Sequence, residues 1–291
     1  MGDILITGAT GLLGSILSPH LRKHGYNIVT LARAGTADIL VDLSDKNKAF
    51  EMLEHIQPTR IINLASLTNV DLCQDNPNMA YLANTRTVEN IAYWIQETGT
   101  NCHLIQISTD QVYDQAVLHA EDDISLTNIY AFSKYSGELA AAQVQSSILR
   151  TNFIGRSKIS HRESFSDWVF NSLTIGKNIQ VLDDVFFSPL SMTTLVEMIQ
   201  LVVERRPVGI FNLGSHNGMS KADFAFCFAE RVKLPTENMT RIEARKAVFL
   251  KTYRPKDMRM DSSRFEHAIG VKLPALRDEI LRVGMEYDEI A

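Results

Sequence analysis

The sequence predicts an α/β chain: a doubly wound parallel sheet covered by helices on both faces, with a smaller, mostly helical lobe beside it. Three observations carry that expectation. Short apolar runs alternate with longer amphipathic stretches through the first half, as in consecutive βαβ units. A glycine-rich turn follows the first apolar run directly. After Arg150 the rhythm loosens, and from Ser220 onward a helical pattern is interrupted by Pro235, Pro255 and Pro274.

Taken in order, strands are expected at Asp3 to Thr7, Asn27 to Leu31, Ile39 to Val41, Arg60 to Leu64, His103 to Ile107 and Ser147 to Arg150, because each is a short apolar run bounded by turn residues. Helices fill the intervals at Leu12 to His24, Asp45 to Ile56, Met79 to Thr98 and Ile129 to Gln143, each ending near Gly, Pro or a polar turn. Further on come a helix at Ser164 to Leu173, a strand at Ile179 to Leu182, a helix at Thr193 to Glu204 and a buried strand at Gly209 to Leu213. With 291 residues and a prior of about 150 per domain, one large or two modest domains are expected. The boundaries drawn are 1–153 plus about 190–213 for a dinucleotide-binding part, and about 154–189 with 214–291 for a substrate-binding lobe. No Gly- or Ser-rich linker and no internal repeat separates them.

Composition narrows the function. With 45% hydrophobic and 22% charged residues, the chain is neither disordered nor fibrous. Lys and Arg number 29 against 34 Asp and Glu, a net charge of −5 that argues against a broad nucleic-acid surface. Cys73, Cys102 and Cys227 are odd in number, far apart and without zinc spacing, so they read as reduced thiols, and no metal is expected. The start of the chain lacks the basic and apolar regions of a signal peptide, and no run reaches the ~20 apolar residues of a membrane span. A cytoplasmic protein without membrane or nucleic-acid partners is expected.

Gly8-Ala9-Thr10-Gly11-Leu12-Leu13-Gly14 stands between the first strand and the first helix. Glycines there let the backbone turn sharply and approach a pyrophosphate that faces the helix N-terminus. A glycine triplet alone is weak evidence, and its place in a first βαβ unit gives it weight as a Rossmann-like dinucleotide turn. At the end of the second strand, where an acid would meet a ribose 2′-hydroxyl, the chain has Arg33, which suits a 2′-phosphate. NADP(H) is therefore favoured over NAD(H), which the pattern also admits. Asp42, after the third strand, is placed to meet an adenine edge or to cap the next helix.

Tyr130 and Lys134 stand at i and i+4 of an expected helix, so both face one way. A lysine cation beside a phenol favours the phenolate, making the tyrosine a better acid toward a carbonyl oxygen. The pair alone would read as ordinary helix surface. Its company is Ser108-Thr109-Asp110, directly after the fifth strand, on the strand-end edge where open parallel sheets bind ligands. The same edge receives Ala65-Ser66-Leu67-Thr68 and Arg150-Thr151-Asn152-Phe153. Capping and turn chemistry are the alternative uses of these hydroxyls.

The segments GATGLLG (Gly8 to Gly14), INLASLTNVDLCQDNP (Ile62 to Pro77), ISTDQVYD (Ile107 to Asp114), YAFSK (Tyr130 to Lys134), RTNFIG (Arg150 to Gly155) and RPKDMRMD (Arg254 to Asp261) together resemble the extended short-chain dehydrogenase/reductases, within them the dTDP-4-dehydrorhamnose reductase group. The resemblance covers nearly the whole chain. It implies an NAD(P)-dependent oxidoreductase of polysaccharide biosynthesis that reduces the 4-keto group of a nucleotide-linked 6-deoxy sugar. Thr109 and Tyr130 would bracket the keto oxygen, Tyr130 as proton donor, with Lys134 on the nicotinamide ribose. Gly11, Leu12 and Leu13 would line the pyrophosphate, Arg33, Asp42 and Leu43 the adenosine end, and Ala65, Ser66 and Leu67 the middle of the cofactor. Thr68, Val70, Asp110 and Phe153 would meet substrate, and Arg254 is a candidate clamp for its diphosphate. The chain departs from the group at Gln115, where glycine is usual, at Phe153, where tryptophan is more frequent, and across Asp183 to Leu190. The motifs leave the sugar unspecified. A nucleotide-sugar epimerase of the same fold and a non-catalytic regulatory subunit are the competing readings, and a homodimer is compatible with either.

Overall fold

The computed structural model describes residues 3–160 and 162–288. The chain divides into two compact units, the first comprising Met1–Thr109, Asn128–Arg150 and Val196–Phe211, the second Asp110–Thr127, Thr151–Leu195 and Asn212–Ala291. The segment 110–127 thus groups with the second unit, whereas the sequence boundaries kept it in the first.

In the first unit β1 (Ile4–Thr7) is buried at all four residues, which is why it reads as a continuous apolar run rather than an alternating one. It leads into α1 (Gly14–Lys23), β2 (Ile28–Ala32), β3 (Ile39–Leu40) and α2 (Lys46–Ile56), whose N-cap Asp45 accepts from the Asn47 and Lys48 amides. β4 (Arg60–Asn63) follows, then α3 (Val70–Asp75), α4 (Pro77–Tyr81), a π-helical turn at Leu82–Arg86 and α5 (Thr87–Thr98). β5 (His103–Thr109), α6 (Ile129–Ala141) and β6 (Ser146–Thr151) complete the run. The helix expected over Met79 to Thr98 is therefore three segments in series, and α3, capped by Asn69, was not foreseen.

After its first segment, 110–127, the second unit continues with β7 (Phe153–Ile154), α7 (Phe165–Thr174), β8 (Ile179–Leu182), β9 (Phe186–Phe187) and β10 (Leu190–Ser191). Most of α8 (Met192–Arg205) and of β11 (Gly209–Leu213) belongs to the first unit. The chain then continues through β12 (Met219–Ser220), α9 (Lys221–Arg231), β13 (Met239–Ile242), α10 (Ser263–Ile269) and α11 (Leu276–Met285). Beside its helices this unit holds three two-stranded sheets, β10–β7, β12–β9 and β13–β8. Its core is aromatic: Phe187 meets Phe224 edge-on at 5.6 Å between ring centroids, and Phe228 meets Tyr287 edge-on at 5.3 Å.

The central sheet of seven strands runs β11-β6-β5-β4-β1-β2-β3, with the β1–β2, β1–β4, β2–β3 and β4–β5 pairs parallel. The strand order reverses between β1 and β4, the position where open α/β sheets bind ligands. A row of polar side chains crosses the sheet there. Thr7 pairs in register with Asn63, and Asn63 with Gln106. The Thr7 hydroxyl donates to Asn63 Oδ1, Asn63 Nδ2 donates to Gln106 Oε1 at 2.7 Å, and Gln106 Nε2 donates to the Ile107 carbonyl at 3.0 Å. Buried polar groups persist only when so satisfied. Among the described residues no helix is long and apolar enough to cross a membrane.

Candidate active site

Two glycines of the turn lie hard against neighbouring backbone. Gly8 sits at φ +62°, and a Cβ there would stand 2.7 Å from the Ala65 amide nitrogen; one on Gly14 would stand 2.6 Å from the Ala9 carbonyl oxygen. The Gly11 amide donates to the Gly8 carbonyl at 2.9 Å, closing the turn. Leu13 occupies the N-cap of α1 and offers no side-chain oxygen to the first helical amides, and the first turn of that helix carries no acid. The Ser15 and Ile16 amides turn back onto the Gly11 and Leu13 carbonyls, which leaves the Leu12, Leu13 and Gly14 stretch and the helix dipole to favour an anion. The residues present thus fit the pyrophosphate of a dinucleotide. Leu12 is half-buried and Leu13 buried beneath the turn.

At the end of β2, Arg33 is exposed. The nearby acid, Asp38, is turned away from that end: its Oδ2 accepts from the Thr30 amide at 2.8 Å and the Thr30 hydroxyl at 2.7 Å, and these bonds hold its carboxyl below the usual range. Asp42 closes a local turn, accepting from the Ser44 amide at 3.0 Å, while the capping role it was also offered falls to Asp45. Leu43 is buried in the core, with its carbonyl taken by Asn90 Nδ2 at 2.8 Å.

Ala65, Ser66 and Leu67 are half-buried after β4, and Thr68 is exposed. Asn84 holds both backbone groups of one residue in this segment. Its Oδ1 accepts from the Leu67 amide at 2.7 Å and its Nδ2 donates to the Leu67 carbonyl at 3.0 Å. The same Nδ2 donates to Ser133 Oγ at 2.9 Å, and Thr85 donates to the Ser133 carbonyl at 2.9 Å. The π-helical turn therefore pins α6 to the loop after β4. Val70 is buried with Cys73, Ala80 and the Tyr130 ring.

Tyr130 lies in the first turn of α6, 6% exposed, behind the N-cap Asn128. One turn later Lys134, 4% exposed, donates from Nζ to the Ile107 carbonyl at 2.7 Å. Thr109, buried, ends the same strand. Lys134 and Thr109 thus stand at the C-terminal end of β5, next to the polar row that runs from β1, with Tyr130 one helical turn before Lys134. Burial pulls the Lys134 ammonium down to about 8, and the Glu138 carboxylate opposes that pull. Glu138 in turn is paired with Arg150 at 2.6 Å, both side chains 1% exposed.

In the second unit Asp110 is buried, and its Oδ2 accepts from Asn152 Nδ2 at 2.7 Å. Phe153, half-buried, pairs with Leu190 between β7 and β10. Arg254 is half-buried and donates to the Thr252 carbonyl at 2.8 Å. The charges of Asp110 and Arg254 both act on Lys221, whose ammonium burial lowers. Among the described residues no group of three or more His, Cys, Asp or Glu could hold a metal ion.

Sequence reasoning missed Asn84, Lys221 and Glu138. Glu138 could have been found, because Tyr130, Lys134 and Glu138 recur at i, i+4 and i+8 on one helix face. Asn84 could not, because a π turn shifts the face that helical spacing assigns to it.

The family model described as RmlD substrate binding domain matches residues 2–288. The probable low-salt glycan biosynthesis reductase Agl14 of Haloferax volcanii is 28% identical over 302 residues, covering 98% of each chain. A dTDP-4-dehydrorhamnose reductase of Aggregatibacter actinomycetemcomitans is 27% identical, covering 94% of this chain and 95% of that one. Among solved structures, the dTDP-4-dehydrorhamnose reductase of Bacillus anthracis in complex with NADP superposes with a TM-score of 0.88 at 23% identity, over 98% of this chain and 99% of that one.

Proposed function

The chain belongs to the RmlD substrate binding domain family, and from that premise we propose that it is an NAD(P)H-dependent oxidoreductase reducing the 4-keto group of a nucleotide-linked 6-deoxy sugar. One observation carries the reading. Tyr130 stands one helical turn from Lys134, a buried ammonium fixed on the strand-end carbonyl of Ile107. Two curated relatives that match nearly the whole chain are named reductases, one of glycan biosynthesis and one of dTDP-4-dehydrorhamnose.

A nicotinamide cofactor, when bound, supplies the hydride for the carbonyl carbon. Gly8, Gly11, Leu12, Leu13 and Gly14 form the turn that would receive its pyrophosphate, and Ala65, Ser66 and Leu67 would flank its middle. Arg33 and the withdrawal of Asp38 into β2 favour a 2′-phosphate, in keeping with the NADP held by the Bacillus anthracis structure. NAD(H) is the second choice. Asp42 and Leu43 flank the adenosine end. Lys134 holds a ribose hydroxyl and its charge makes Tyr130 the stronger acid. Tyr130 gives its phenolic proton to the developing alkoxide while Thr109 donates a hydrogen bond to the same oxygen. For the substrate the resemblance assigns Thr68 and Val70 of the first unit and, of the second, Asp110 and Phe153 to the sugar and Arg254 to the diphosphate.

The test follows NADPH and NADH absorbance when the purified protein meets a panel of nucleotide 4-keto-6-deoxy sugars. Cofactor oxidation that depends on the keto-sugar is the expected result. Cofactor binding without turnover of any keto-sugar would replace the reading with that of a regulatory subunit, and interconversion of nucleotide sugars without net cofactor oxidation would replace it with an epimerase.

A further inference from the structure

Helix α6 carries a third chemical group on the face that presents Tyr130 and Lys134. Glu138 follows Lys134 by one turn and is 1% exposed. Its carboxylate is fully engaged. Arg150 of β6 reaches it through Nη2 at 2.6 Å and through Nε at 3.0 and 3.1 Å, and the Ser108 hydroxyl of β5 donates to Oε1. Ser108 adjoins Ile107, whose carbonyl accepts from Lys134 Nζ. One carboxylate therefore ties the helix to β6 and to the β5 residue next to the one that holds the lysine.

A pair of this kind is costly to bury, and well-packed apolar residues of similar volume would serve stability at least as well. Its retention one turn from a buried lysine calls for a reason beyond holding α6 to β6. We propose that Glu138 is a positioning residue for Lys134: its carboxylate, oriented by Arg150 and Ser108, keeps the buried lysine protonated and fixed on the Ile107 carbonyl. The proposal rests on the role given to Lys134 above, and it concerns how this chain maintains that role.

Among the described residues Glu138 acts on the lysine by its charge, and further titratable groups stand on the neighbouring elements, buried Asp110 just past β5 among them. Helix α6 brings Tyr130 and Glu138, β6 brings Arg150, and α3 brings Cys73 beside Tyr130, a thiol that burial pushes up to about 11. The β5 strand offers a carbonyl and a hydroxyl, and the π turn offers the neutral Asn84 and Thr85. Glu138 is thus the negative charge that offsets the desolvation of Lys134, whose ammonium still sits at about 8.

The experiment reads the lysine itself, without ligand. Protein labelled with [6-13C]lysine is titrated by NMR, the Lys134 resonance being identified by its loss in Lys134→Met. In the wild type it should titrate near 8. In Glu138→Gln its midpoint should move about one pH unit or more toward acid, and in Glu138→Asp, which keeps the charge, it should stay close to wild type. Because Glu138→Gln leaves Arg150 buried without its counter-charge, the double variant Glu138→Gln/Arg150→Met is measured as well, with a smaller shift in the same acid direction expected because the opposing Arg150 cation leaves too. A double variant titrating like the wild type overturns the proposal, as does failure of both variants to fold, which would make the pair a clamp for the fold alone. The alkaline limb of kcat/KM should follow the NMR midpoint. An NMR shift without a matching kinetic shift upholds the role of Glu138 and instead removes Lys134 from the reaction proposed above.

Discussion

Replacing Tyr130 with phenylalanine takes a single oxygen from a ring that is 6% exposed and packed among Val70, Cys73 and Ala80, so the fold should hardly register it. Turnover should fall by about 10²-fold or more while cofactor affinity stays nearly intact, because a positioned general acid contributes about that much; near-normal turnover would move the proton donor elsewhere. Lys134 makes the opposite bargain between stability and chemistry. Its ammonium titrates at about 8 in the fold against about 10.4 unfolded. Below pH 8 both states are protonated and burial costs about 3 kcal/mol by linkage. Between the two values the unfolded chain binds more protons, so stability rises with pH and the cost disappears. Lys134→Met should therefore raise the unfolding free energy from urea titration at pH 7 by about 1 to 2 kcal/mol once the lost hydrogen bond to Ile107 is counted, with the gain shrinking above pH 8. Equal effects at both pH values would refute it. Arg33 is exposed, and Arg33→Asp should weaken NADPH by about 1.5 to 3 kcal/mol more than NADH in paired calorimetric titrations.

Among the elements, α6 depends on how closely its neighbour approaches. A Cβ on Gly137 would stand 2.3 Å from the Asn84 carbonyl oxygen, backbone that cannot swing aside. Gly137→Ala should separate α6 from the π turn, slackening the hold of Asn84 on Leu67 and Ser133. Thermal stability should fall by several degrees and the KM for cofactor should rise; an unchanged melting temperature would show that the helices yield without cost. Most of these elements were legible. The strands of the first unit carry continuous apolar runs because both faces are covered, and α2 and α6 announce themselves by capping residues, Asp45 and Asn128. What escaped was set by tertiary contact. The turn at Leu82–Arg86 keeps helical composition while adding a residue to its hydrogen-bonded loop, and the two-residue strands β7, β9, β10 and β12 are too short for any period to show. The candidate site followed the same division. Glycine turn, tyrosine and lysine are local patterns, whereas Asn84 acts on Leu67 and Ser133 from 17 and 49 positions away.

For the whole molecule, acid is the expected weak point, and His103 at the start of β5 shows why. Burial, helped by the Arg206 and Arg60 cations, brings its imidazole down to about 4. Unfolded, it would titrate near 6.5. The unfolded chain therefore binds the extra proton between those values, and the fold loses up to about 3 kcal/mol as pH falls from 6.5 to 4. His103 Nε2 lies 2.8 Å from Ser147 Oγ, so His103→Gln keeps a polar partner there while removing the titration. Urea midpoints at pH 7 and pH 4.5 should differ less in that variant than in the wild type, and an equal drop in both would place the acid sensitivity elsewhere. The row formed by Thr7, Asn63 and Gln106 carries a further consequence. Ile4–Thr7 and Arg60–Asn63 set aliphatic against aliphatic at their centre, Leu5 on Ile61 and Ile6 on Ile62, where burial alone discriminates weakly between neighbouring alignments. Sliding either strand by one position would face each amide with a hydrocarbon and leave donors and acceptors unmatched in the interior, at about 1 to 3 kcal/mol apiece. The three polar residues therefore work as a key that admits one alignment of β1, β4 and β5. Because the glycine turn, the loop after β4 and the end of β5 all leave from those strands, that key also sets the heights at which the parts of the site come to meet.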